Sequence, residues 1–100
     1  MTTTFAKSEL TPGVPKLVMV AGTPVCVALF EEKIYAISDT CTHSEASLSE
    51  GEMEGPLIEC WLHGAQFDIR TGAVVTPPAT ASATTFHVEV HGDDVTVTKQ

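Results

Sequence analysis

Long apolar runs are absent from the 100-residue chain. None approaches the roughly 20 residues that cross a bilayer, so no membrane span is expected. The opening MTTTFAKSEL lacks the basic region followed by an apolar one that marks a secretory signal, and a cytoplasmic protein is expected. Cysteine is scarce and odd in number: Cys26, Cys41 and Cys60 cannot pair off into a disulfide framework. In a reducing compartment, cysteines near histidines more often bind metal or do chemistry. Positive charge is short as well. Five Lys and Arg stand against thirteen Asp and Glu, a net charge of −8, which makes nucleic acid and anionic membranes poor partners. Between Lys33 and Arg70 there is no Lys or Arg at all, while Asp39, Glu45, Glu50, Glu52, Glu54, Glu59 and Asp68 accumulate. Such a stretch reads either as a solvated face or as a docking surface for a basic partner.

The remaining composition, 43% apolar and 18% charged, is that of a folded domain rather than a disordered chain. The length suits one domain, residues 1–100. A chain this short buries only about 60–70% of its unfolded surface, so a bound metal would add useful stability.

Pro12-Gly13, Gly22, Gly51, Gly55-Pro56, Gly72, Pro77-Pro78 and Gly92 separate short runs rich in Val, Ile, Thr and Phe, the rhythm of many short strands. Strands are predicted at 16–20 and 25–30, the second nearly continuous in apolar residues and therefore buried. Glu31-Glu32-Lys33 predicts a tight turn into a strand at 34–37, a hairpin. Further strands are predicted at 57–59, leading into Cys60, and at 66–69, turned by Thr71-Gly72. Phe86, Val88 and Val90 alternate with Thr85, His87, Glu89 and His91, which predicts one buried face. After Gly92, residues 95–98 form the last strand. No helical period of about ten residues is visible. Residues 46–53 hold at most a short helical turn, and apart from 57–59 everything from Asp39 to Ala65 reads as loop. The expected fold class is all-β, a small sandwich or barrel, whose long loops carry function. Cys26 reads as a buried inert thiol, and His87 and His91 as surface histidines.

Two short segments carry the chemistry: Cys41-Thr42-His43 and Cys60-Trp61-Leu62-His63, with sixteen residues between His43 and Cys60. Each offers one thiolate and one imidazole, ligands suited to zinc, iron or copper. Ser44, Ala46 and Ser47 follow the first pair and Gly64 and Ala65 the second. Side chains this small leave room for backbone N–H groups to approach a bound inorganic core. Three readings are open. The cysteines belong to the core and the histidines to loops; or the four hold a structural zinc; or they hold a two-iron, two-sulfur cluster in which two histidines replace two cysteines on one iron. Two Cys-His pairs at close spacing count against the first. The interleaved order, with no helix between the pairs, counts against the second.

On these residues the sequence resembles the Rieske proteins. The motifs Cys41-Thr42-His43 and Cys60-Trp61-Leu62-His63-Gly64 carry the resemblance, supported by Phe67-Asp68 and Thr71-Gly72, over residues 39–79. The resemblance implies a small antiparallel β-sandwich with a cluster-binding subdomain: two ligand loops and a covering proline loop at Pro77-Pro78-Ala79. It implies one Rieske [2Fe-2S] cluster, with Cys41 and Cys60 on the inner iron and His43 and His63 on the outer one.

Departures from the family narrow the expectation. Rieske subunits of cytochrome complexes add a disulfide between the ligand loops; here Ala46 and Leu62 lie around those places. They also carry Ser and Tyr hydroxyls directed at sulfur, where this chain has Ala65 and Phe67. A hydroxyl hydrogen bond favours the reduced cluster, so its loss, together with nearby carboxylates, places the potential at the low end of a range of roughly −150 to +300 mV. Trp61 stands where proline is common, and packs beside the cluster or lies at the docking surface. A short, unstapled, low-potential domain resembles the ferredoxins of bacterial ring-hydroxylating dioxygenase systems. That implies a monomeric electron carrier between a flavin-containing ferredoxin reductase and a terminal oxygenase; a small subunit of another reductase, such as nitrite reductase, is the alternative. Oxygenation by this chain alone is not expected. It needs a mononuclear iron held by two histidines and a carboxylate, and only His87 and His91 remain.

Overall fold

The computed structural model describes residues 2–40, 47–60, 64–76 and 83–98. Among these residues the chain forms β1 (Thr2–Ala6), β2 (Lys16–Val20), β3 (Thr23–Phe30), β4 (Lys33–Ser38), β5 (Met53–Glu54), β6 (Leu57–Glu59), β7 (Gln66–Asp68), β8 (Val74–Thr76), β9 (His87–His91) and β10 (Asp94–Thr98). Single 3-10 turns lie at Lys7–Glu9 and Leu48–Glu50. The strands pair antiparallel in three sheets, ordered β1-β10-β9, β2-β3-β4 and β5-β6-β7-β8.

The eight-residue β3 organises the layers. Successive side chains of a strand point to opposite faces. Val25 and Val27 enter one core with Val18, Val20, Ala36, Phe86, Val95 and Val97. Cys26 and Ala28 enter the other with Ile37, Leu48, Ile58, Cys60, Phe67 and Ile69. The middle sheet is thus covered on both sides, which is why residues 25–30 read as a continuous apolar run rather than an alternating one. The two three-stranded sheets also meet at both edges. The Thr3 hydroxyl donates to the Met19 carbonyl at one edge, and the Phe86 amide to the Ala36 carbonyl at the other.

Several details depart from the sequence reading. β1 was not legible, because its partner is β10, at the other end of the chain. β5 is a strand of two residues, so the stretch from Asp39 to Ala65 is less of a loop than its punctuation predicts, and β8, of three residues, is a further strand that the sequence did not predict. Val90 is 45% exposed: β9 lies at the edge of its sheet, where Val90 has a cross-strand neighbour, Val95, on one side only. The turn at Glu31-Glu32 is tight as predicted, but both glutamates take positive φ, 50° and 67°, a conformation normally left to Asn or Gly.

Candidate metal centre

The four-stranded sheet brings described residues that flank the candidate segments to one end. β6 runs into Cys60, β7 starts at Gln66, and β8 ends at Thr76, which pairs with Gln66. Because neighbouring strands are antiparallel, the chain on both sides of 61–63 and the chain entering 77–82 lie at the same end of the sheet. The exit of the first candidate loop arrives there too, since the Glu59 amide donates to the Glu52 carbonyl (2.9 Å) just before β5.

Each base is fixed by its own backbone chemistry. In the second loop, the Cys60 amide donates to the Ala65 carbonyl (2.7 Å) and the Gly64 amide to the Cys60 carbonyl (2.9 Å). The turn needs a left-handed residue, and Gly64, at φ 77°, supplies it. In the first, Thr40 and Ser47 form an isolated bridge. Asp39, before that bridge, is buried: its carboxylate accepts from the Ser47 hydroxyl and from the Ser49 amide (2.7 Å), and its carbonyl accepts from the Leu48 amide (2.6 Å). Gly51 holds the two bases in contact. A Cβ at position 51 would fall on the Glu59 carbonyl oxygen, far inside van der Waals distance. Gly72 does the same further out, where a Cβ would collide with the Ala83 carbonyl, and the Ala83 amide donates to the Gly72 carbonyl (2.7 Å). The Thr71-Gly72 motif therefore anchors the chain that returns after 77–82.

Of the four expected ligands, Cys60 is described: it is fully buried at the mouth of the sheet, among Ala65, Phe67 and Ile58. Cys41, His43 and His63 lie outside the described residues, as do Glu45, Ala46, Trp61, Leu62 and the Pro77-Pro78-Ala79 segment. Ala65 and Phe67, the positions without hydroxyls, are both fully buried beside Cys60. Cys26 is buried in β3, and desolvation, with the Asp39 charge adding to it, pushes its thiol well above the usual range. An all-cysteine cluster needs four thiolates. The chain has three cysteines, one of them this protonated core thiol. The donor set left at the loops is two thiolates and two imidazoles, which fits a mixed-ligand cluster.

The acidic stretch divides in the structure. Asp39 is buried and Asp68 is paired with Arg70 (2.8 Å), so neither is free surface charge. Glu50, Glu52, Glu54 and Glu59 are exposed; Glu59 stands at the end of the sheet that carries Cys60, whereas Glu54 pairs with Leu57 at the opposite end. Glu52, just before β5, accepts the Glu59 amide through its backbone carbonyl (2.9 Å). His87 and His91 are exposed and both contact Glu89 (3.1 and 3.4 Å). No group of three or more His, Cys, Asp or Glu among the described residues could hold a metal ion.

The comparisons with known proteins agree with this geometry. A family model described as the Rieske [2Fe-2S] domain matches residues 2–99. The ferredoxin CarAc of Metapseudomonas resinovorans is 41% identical over 93 residues, covering 92% of this chain and 87% of that protein. The solved ferredoxin of carbazole 1,9a-dioxygenase from Nocardioides aromaticivorans superposes with a TM-score of 0.92 at 36% identity, covering 96% of this chain and 94% of that one. A chain in the complex of reduced oxygenase and oxidised ferredoxin of carbazole 1,9a-dioxygenase superposes with a TM-score of 0.87 at 41% identity, covering 92% and 95%.

Proposed function

The chain belongs to the Rieske [2Fe-2S] domain family, and on that premise we propose that it is a one-electron carrier. It forms a single domain over residues 1–100. It takes electrons from a flavin-dependent NAD(P)H ferredoxin reductase and delivers them to the terminal oxygenase of an aromatic-ring dioxygenase system. The observation that carries the reading is near-full-length similarity to dioxygenase ferredoxins, one of them a chain of a complex with its oxygenase. The nitrite reductase alternative has weaker support: at 19% identity, the likeness to such a small subunit speaks for the fold alone.

Cys41, His43, Cys60 and His63 would hold the cluster, which when bound supplies a one-electron couple. The chain's own work is to bury one side of it and present the other. Cys60 lies on the buried side, against Ile58, Ala65 and Phe67. The absence of hydroxyls at Ala65 and Phe67 supports a low potential, suited to passing electrons onward. Glu50, Glu52 and Glu59 form the docking rim for a basic surface on a partner. Among the described residues no helix is long and apolar enough to cross a membrane. We place the protein in the cytoplasm as a monomer without nucleic-acid or membrane partners.

A reconstituted assay with reductase and oxygenase tests the reading. Wild-type protein should couple NAD(P)H oxidation to turnover of the oxygenase and show no turnover alone. Glu52→Lys with Glu59→Lys should slow transfer, most at low salt, where such contacts are least screened. Unchanged rates in the double variant would remove the docking rim, and failure to couple any dioxygenase pair would remove the partner assignment.

A further inference from the structure

Asp39 is the one buried charged residue among those described, only 3% exposed. None of the ion pairs among the described residues involves it. Among the described residues its carboxylate takes hydrogen bonds from the loop it precedes. One carboxylate oxygen accepts from the Ser47 hydroxyl, the other from the Ser49 amide (2.7 Å). The Ser47 and Ser49 hydroxyls lie 2.9 Å apart, tying the two donors together. The Asp39 amide donates to the Pro24 carbonyl of β3 (3.1 Å), so the latch is fastened to the rigid middle sheet. The Thr40–Ser47 bridge closes above it.

A buried carboxylate is costly even when hydrogen-bonded, and a neutral side chain would close the same loop more cheaply. An asparagine at position 39 could accept from the Ser49 amide with its carbonyl oxygen. It could donate from its NH2 to the Ser47 hydroxyl, which serves equally as acceptor. Loop closure alone therefore does not call for the charge.

We propose that Asp39 is a positioning residue for the cluster with two coupled effects: it pins the base of the loop carrying Cys41 and His43 through Ser47 and Ser49, and its buried negative charge at the loop base makes the cluster harder to reduce. This rests on the cluster reading above. Reduction adds one electron and breaks no bond, so a fixed negative charge two residues before Cys41 opposes it directly, and burial limits screening. The charge is felt elsewhere in the same core. After desolvation, it is the second cause that raises the thiol of Cys26, which shares its core cluster with Cys60.

Three variants separate the effects, read by the midpoint potential and by the rate at which a chelator strips iron from the oxidised protein. Asp39→Asn keeps the geometry and removes the charge. Its reduction equilibrium should shift about tenfold toward the reduced form, which is about 59 mV upward for one electron, with iron loss close to wild type. Ser47→Ala keeps the charge and cuts one arm of the clamp. It should lose iron about tenfold faster, the usual cost of removing a group that supports a ligand, and Asp39→Ala should lose it faster still. An unchanged midpoint in Asp39→Asn overturns the charge effect. Wild-type iron retention in Ser47→Ala overturns the clamp, whether or not Asp39→Ala folds. Wild-type protein that binds no iron–sulfur cluster would instead sink the cluster reading itself.

Discussion

The two halves of the molecule are held together in different ways. The body, β1–β4 with β9 and β10, has strands of five to eight residues, and Val20, Val25, Val27, Val95 and Val97 fill the space between its sheets with no exposed surface. The cluster-binding half is a sheet whose strands are two or three residues long. Too short to be stable as ladders alone, they are fixed by point contacts: Gly51 on Glu59, Gly72 on Ala83, and Asp39 on Ser47 and Ser49. Both halves bury apolar side chains, Ile58, Phe67 and Ile69 in the second, but the site depends in addition on the position of a few backbone atoms.

That contrast can be broken by mutation. The largest effect is expected at Gly51. Its φ is ordinary, so Gly51→Ala adds only the collision with the Glu59 carbonyl. The cost should be about 3 kcal/mol, and because it separates the two loop bases, cluster absorbance per folded protein should collapse. Val97→Ala in the body should cost about 2 kcal/mol from lost burial and the void left behind, read as a lower unfolding midpoint with absorbance per folded protein retained. The reverse pattern would erase the distinction between the halves.

A smaller change sharpens it. Replacing Glu31 and Glu32 with Asn and Gly removes side chains from two left-handed positions. It should stabilise the body by about 1 kcal/mol without altering the visible spectrum. The smallest effect is at Asp68. Hydrogen bonds from Arg70 hold its carboxyl below the usual value of 3.8. Its contribution is therefore present above that pH and is lost as pH falls through the lower folded value. Asp68→Asn should slightly flatten the acid limb of the stability curve, measured by urea unfolding from pH 5 to 2.

The same division explains what could be read from the sequence. Strands β2, β3, β4, β9 and β10 write their pattern locally, in alternation or in a continuous apolar run, and they stand within a residue or two of expectation. β1 has no such signal, because it exists through its pairing with residues 94–98. In the site, the two Cys-His pairs stand out in the sequence because coordination chemistry restricts ligand types and spacing, and of those four residues the structure describes Cys60. The clamp does not stand out: Asp39 looks like any member of an acidic stretch until the fold buries it. Gly51 likewise reads as punctuation, and only the approach of Glu59 shows why no side chain fits there.

The central claim is that two thiolates and two imidazoles of this chain hold one [2Fe-2S] cluster. The most direct test is pulsed electron paramagnetic resonance of the reduced protein, with iron and sulfide counted on the same sample. The account predicts two irons and two sulfides per chain and a signal coupled to two directly bound histidine nitrogens, lost in His43→Ala and His63→Ala. A colourless, silent protein carrying zinc at these residues would contradict it.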